Sequence, residues 1–133
     1  PKDVDTLIAV YNLPDNTPKQ KAEATERVAR ALATIEEEIR ALPDDPNSRN
    51  EYAWLVANTE GDLSKALEYS RGSLETSFDS SSYLDTLAHC HAAAGSIDRA
   101  IRTQWLAVRQ EPHSQTIRRN LARFEARRSD PKP

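Results

Sequence analysis

The sequence predicts an all-α protein made of repeated helical hairpins, and three observations carry that expectation. Only three glycines occur in 133 residues, and no run alternates β-branched and polar residues long enough to read as a half-buried strand. Prolines fall at Leu13-Pro14, Pro43 to Pro46 and Pro112, and the stretches between them suit helices, because proline blocks helix continuation and restrains the residue before it. From Asn47 onward the chain resembles itself at a spacing of 34 residues, two helices per period.

The elements follow in order. A short helix over about Val4 to Asn12 is capped by Asp3 and puts Leu7, Ile8 and Tyr11 on one side. A long second helix opens with Thr17 as cap, Pro18 at the first helical position and Gln20 completing a capping box, and runs to about Leu42. Val28, Leu32, Ile35, Ile39 and Leu42 form its apolar stripe. Glu23 with Arg27, Glu26 with Arg30 and Glu36 with Arg40 are spaced as i,i+4 ion pairs on the solvent side. The stripe is too short for a coiled coil and is expected to pack on the rest of the chain.

Ser48 to Glu51 reads as another capping box, opening a helix that ends near Asn58 before Gly61; Asp62 then caps a helix from Leu63 to about Thr76. Ser80 to Ser82 start a helix that reaches Ala94 and stops at Gly95. Ser96 caps the next, which ends before Pro112, and Ser114 caps a last helix to about Arg128. A shift of 34 residues lays Gly61 on Gly95, Leu63 on Ile97, Ala66 on Ala100, Leu67 on Ile101 and Leu74 on Val108, and a further shift lays Leu87 on Leu121 and Ala88 on Ala122.

In residues 81–114, Leu84, Leu87, Ala88, His91, Gly95, Ala100, Ala107 and Pro112 stand where the tetratricopeptide repeat places its characteristic residues, and the segment resembles that family. The match departs at His91, where an aromatic is usual, and at Gln104, where Tyr or Phe is usual. Residues 47–80 are a degenerate unit: Gly61 and Ala66 are kept, but Trp54 replaces a small residue and Phe78 a proline. The resemblance extends over residues 47–128. It implies a short right-handed α-α superhelix of about seven helices. Residues 1–46 are then a degenerate unit or a private cap, 115–128 a capping helix bearing polar Arg118 and Glu125, and 129–133 a disordered tail.

Composition narrows the function. The formal net charge of -3 conceals a gradient, six Lys/Arg against ten Asp/Glu in residues 1–46 and six against two in residues 113–133. One cysteine, Cys90, allows no intrachain disulfide, which leans toward the cytoplasm, and no apolar run reaches the eighteen or so residues that span a bilayer. A chain that starts at Pro1 and has no methionine is expected to be part of a larger protein. No nucleophile elbow, phosphate loop, H-E-x-x-H or C-x-x-C is present, so no enzyme, cofactor or small-molecule substrate is expected. His89, Cys90 and His91 have metal-ligand chemistry, but neighbours on a helix point apart; a buried Cys90 and a half-buried His91 are expected instead. Trp54 and Trp105 are expected to fill the core.

The resemblance implies a protein-interaction scaffold that holds a peptide or a neighbouring domain in a groove lined by the first helix of each unit. The groove set would be Glu51, Leu55 and Asn58, then Asp85, His89 and Ala92, then Arg119, Arg123 and Arg127, a stripe at i, i+4 and i+8. Such a groove is acidic at one end and basic at the other, and the basic end would suit an acidic segment. Relatives that hold a C-terminal carboxylate use Lys and Asn where Glu51, Leu55, Asp85 and His89 stand here, so that mode is not expected. The alternatives are self-association as a homo-oligomer and nucleic-acid binding through the arginines, which the acidic remainder and the lack of interleaved aromatics disfavour.

Overall fold

The computed structural model describes residues 3–129. Seven helices follow one another: α1 Val4–Tyr11, α2 Pro18–Ala41, α3 Pro46–Asn58, α4 Leu63–Thr76, α5 Ser81–Ala93, α6 Ile97–Gln110 and α7 Gln115–Ser129. Ser129 closes α7, and the remainder of the expected tail lies outside the described residues.

Local chemistry explains most of the boundaries. Asp3 and Asp62 cap α1 and α4 through side-chain bonds to the backbone N–H of Thr6 and Lys65, and the Thr17 and Gln20 side chains form the reciprocal box that starts α2. The start of α3 corrects the expected Ser48 box. Asp45 is the cap and Pro46 the first helical residue, where its missing N–H costs nothing, so Ser48 lies inside the first turn and is buried. Ser96 occupies the cap position of α6 without making a side-chain bond. Gly61 and Gly95 follow α3 and α5 with φ of 147° and 86°, values that side-chain-bearing residues rarely adopt.

Packing turns the helices into a stack. α1 pairs with α2, α3 with α4 and α5 with α6, while each inner helix also meets the next inner helix (α1 with α3, α3 with α5) and each outer helix meets the following inner one; α7 closes on α6. The N-terminal pair thus repeats the neighbour pattern of the later pairs. The buried stripe of α2 is Val28, Ile35 and Ile39 with Leu32 half-buried, and it joins Tyr52, Leu55 and Val56 of α3 in one core cluster. Leu42 is excluded from it. That residue is the C-cap, where the chain has left the helix, and it stands 63% exposed. Of the three expected i,i+4 pairs on α2 the described contacts hold Glu26 with Arg30; Glu36 instead takes Lys65 of α4 at 2.9 Å, tying two outer helices together.

The second cluster joins Leu84, Ala88, Ala100, Ile101, Ala107, Val108, Ile117, Leu121 and Phe124 of α5, α6 and α7. Trp105 does not belong to it. It sits about 100° round the helix from Gln104, outside the face that buries Ala100, Ile101, Gln104, Ala107 and Val108, and is 48% exposed. Trp54, by contrast, packs half-buried against the first cluster. Cys90 is buried as expected and its thiol is pushed up to about 12 by burial. His91 is more buried than expected, at 8% exposed, and burial, then Arg71, Arg99 and Arg102, lower its pKa.

Two stability predictions follow from this packing. Ala100 has no exposed surface at the α5/α6 crossing, and Ala100→Leu should destabilise by roughly 1–3 kcal/mol, lowering the thermal midpoint, whereas Ala126→Leu on the exposed side of α7 should leave it unchanged. An unmoved midpoint in Ala100→Leu would contradict the close crossing. His91 resists protonation in the folded chain while the unfolded imidazole accepts a proton near its ordinary value of 6.5. Below that pH the unfolded state therefore binds more protons, and stability falls as the pH drops toward the lowered folded value. Urea midpoints compared at about pH 7.5 and about pH 5.5 should show a smaller acid loss in His91→Phe than in the wild type; equal losses would refute the buried neutral imidazole.

Candidate partner-binding cleft

The inner helices present their N-terminal halves to one concavity. A cleft of about 740 Å³ is lined by Asp3, Val4 and Asp5 at the start of α1, by Asn50, Glu51 and Trp54 of α3, and by Ser82, Asp85 and Thr86 of α5. Glu111, Ser114, Thr116 and Ile117 from the α6–α7 turn and the start of α7 complete it.

Its floor is held by one aromatic row and one polar cluster. The Trp54 indole N–H donates to Asp5 Oδ1 at 3.1 Å, linking α3 to α1. The His89 ring lies edge-to-face between Trp54, at 4.7 Å between centroids, and Phe124 of α7, at 5.0 Å. His89 Nδ1 is 2.7 Å from the backbone oxygen of Asp85, which assigns the proton to that nitrogen, and 3.6 Å from Asp85 Oδ1. Asp85 Oδ1 in turn accepts from Gln104 Nε2 at 2.7 Å and Asn120 Nδ2 at 3.1 Å. Gln104, without exposed surface, also donates to the Ile117 carbonyl at 3.0 Å. One carboxylate thereby fastens α5, α6 and α7, and neutral amides fasten it. The glutamine that interrupts the repeat pattern is the residue that makes this clamp.

The expected groove residues divide. Glu51 and Asp85 line the cleft; His89 does not, its half-buried ring lying between Trp54 and Phe124. Leu55 and Ala92 do not face a partner, since they are 0% and 4% exposed and belong to the two core clusters. Asn58 is a joint: its amide donates to the Trp54 carbonyl at 2.9 Å, and its own carbonyl accepts from Asn12 Nδ2 at 2.8 Å. Arg119, Arg123 and Arg127 are exposed on α7 but none lines the cleft. Arg123 bonds Asn120 of its own helix, and Arg127 Nη2 reaches the Ala92 carbonyl at 3.0 Å, at the C-terminal end of α5 where a cation is favourable. The expectation of a groove acidic at one end and basic at the other is corrected accordingly: the lining carries five carboxylates, from Asp3, Asp5, Glu51, Asp85 and Glu111, and no Lys or Arg among the described residues.

Sequence reasoning missed Trp54, Asp5 and Glu111 as cleft residues. Trp54 was visible as a large residue at a position where the repeat is small, but the partner that orients it comes from α1, outside the repeat. The histidines and cysteine at 89–91 diverge, His89 into the aromatic row and Cys90 toward the Ala53 carbonyl at 3.7 Å. Among the described residues no three His, Cys, Asp or Glu side chains gather as a metal set. The chemistry on offer in the cleft is carboxylate charge, hydrogen-bond acceptance and one indole.

No family model matches the sequence, and no curated protein matches it. Solved structures do. A chain of the Naa15/Naa10 structure bound to HypK-THB superposes with a TM-score of 0.62 over 94% of this chain at 20% identity. The TPR domain of P58(IPK) superposes with a TM-score of 0.55 over 97% of it at 14% identity. This chain spans 17% and 42% of the length of those two chains. Both superpositions run through the N-terminal helix pair as well as the 34-residue units, and the fold of this chain is that of a tetratricopeptide-like helical repeat.

Proposed function

We propose that the chain is a protein-interaction scaffold, and that its concave cleft receives a segment of a partner protein. The observation that carries this reading is the cleft itself, a concavity of about 740 Å³ to which the starts of α1, α5 and α7 and the middle of α3 all contribute. Its walls are mainly carboxylates and hydroxyls, with one amide, one indole and the aliphatic Val4 and Ile117, unlike the mostly apolar lining of a small-molecule pocket. Five carboxylates also repel a phosphate backbone, which argues against nucleic acid. One structural neighbour comes from a structure described as Naa15/Naa10 bound to HypK-THB, an assembly of proteins. No helix among the described residues is long and apolar enough to cross a membrane.

Filling the cleft tests the proposal. Ser82 and Thr116 are exposed lining residues in the first turns of α5 and α7. Ser82→Trp combined with Thr116→Trp should abolish capture of a partner recovered by crosslinking to the wild-type domain, with the circular dichroism unchanged. Capture that survives the filled cleft would overturn the proposal, and a wild type that stays dimeric on dilution while capturing nothing would favour self-association instead.

A further inference from the structure

We infer that the segment received by the cleft is basic, with a Lys or Arg side chain laid against Trp54; the inference rests on the reading of the cleft as a docking surface. Charge is the first argument. The carboxylates of Asp3, Asp5, Glu51, Asp85 and Glu111 reach one concavity from α1, α3, α5 and the α6–α7 turn, and no Lys or Arg lines it among the described residues. Low-dielectric walls concentrate such a field, so a cationic segment gains and an anionic one loses.

The second argument concerns how these groups are held. Asp3 accepts from Thr6, Asp5 from the Trp54 indole, Asp85 from the Gln104 and Asn120 amides, and Glu111 from the Ser81 hydroxyl at 2.7 Å. These donors are neutral. They orient the four carboxylates without charge of their own; Asp85 has Arg123 behind Asn120 and His89 at 3.6 Å, whereas Asp3, Asp5 and Glu111 keep lone pairs for a guanidinium or ammonium. Helix capping accounts for Asp3 and the clamp on Gln104 and Asn120 for Asp85, while Asp5 takes the Trp54 indole and Glu111 the Ser81 hydroxyl.

A third observation is independent of charge. The Asn50 side-chain oxygen, on the cleft wall, is buried without a hydrogen-bond partner. It is an acceptor, and a buried acceptor left unpaired favours whatever brings it a donor. Trp54, held by its bond to Asp5 and by His89, lines the same cleft, and an aromatic ring of this kind attracts a cation.

The test reads Trp54 fluorescence in a Trp105→Phe background, Trp105 being the other tryptophan and half exposed. Three peptides of equal length are titrated, one rich in Lys and Arg, one rich in Glu, one rich in Ser and Gln. The basic peptide should bind, and its affinity should fall at least about tenfold in Asp5→Asn with Glu111→Gln, steeply with added salt, and be lost in Ser82→Phe with Thr116→Phe, which fills the cleft without a new tryptophan. Should the double neutral variant lose helicity, Glu111→Gln alone, at an exposed side chain, carries the comparison. Binding of the neutral or acidic peptide that is lost in the filled cleft would keep the docking surface and overturn the basic partner. Basic-peptide binding that ignores the filled cleft would overturn both, and a wild type that binds none of the three overturns the inference.

Discussion

Close approach between helices at side chains no larger than a methyl group sets everything else in this molecule. Ala53, Ala66, Ala88, Ala100 and Ala107 have no exposed surface at all. Small residues there let ridges of one helix settle into grooves of the next at short interaxial distance. The consequence is a stack in which no pair is self-sufficient. α3 needs α2 on one side and α5 on the other, and Ile35, with no exposed surface on α2, contributes by its burial roughly 1.5–3 kcal/mol that exists only while α3 is in place. Gly61 and Gly95 permit the sharp turns between paired helices that this spacing demands.

Stacking inner helices with a common direction places their N-terminal halves side by side, and the cleft is a by-product of that geometry. What makes it chemically particular is a set of departures from the repeat pattern. Trp54 takes a position where the repeat is small, and its ring enters the row that runs through His89 to Phe124. Gln104 takes a position where Tyr or Phe is usual, and its amide holds Asp85 at the cleft edge. An aromatic at 104 would bury apolar surface equally well but would supply no amide for the carboxylate, and a buried acceptor without a donor is costly. Residues that fit the pattern build the scaffold, and residues that break it furnish the surface.

Much of the architecture was legible because its signals are local. Asp3, Thr17 with Gln20, Asp62 and Ser80 announce helix starts through their own side-chain chemistry, and the 34-residue spacing of Gly61 with Gly95 and Ala66 with Ala100 announces paired helices. Of the cleft lining, Glu51 and Asp85 alone were among the residues expected in the groove. α3 explains why: Tyr52, Ala53, Leu55 and Val56 are all buried and Trp54 is half so, so periodicity does not say which side faces the concavity, and Leu55 was placed on the wrong one. Trp105 shows the converse, an aromatic of core type left outside because the neighbouring Gln104 and Val108 already occupy the face that meets other helices. The arginines of α7 were read from spacing alone, which says that they share a side but not that the side lies outside the cleft.

The central claim is that α1 to α7 form one continuous stack, so that the N-terminal pair is part of the fold and of its concave face. Equilibrium unfolding and sedimentation of a fragment beginning at Asp45, which keeps the α3 cap, test it most directly. Removing α1 and α2 uncovers Tyr52, Leu55 and Val56 and takes Asp5 from Trp54, so the account predicts a fragment that aggregates or unfolds without a cooperative transition. A monomeric fragment with the urea midpoint of the full chain would contradict it.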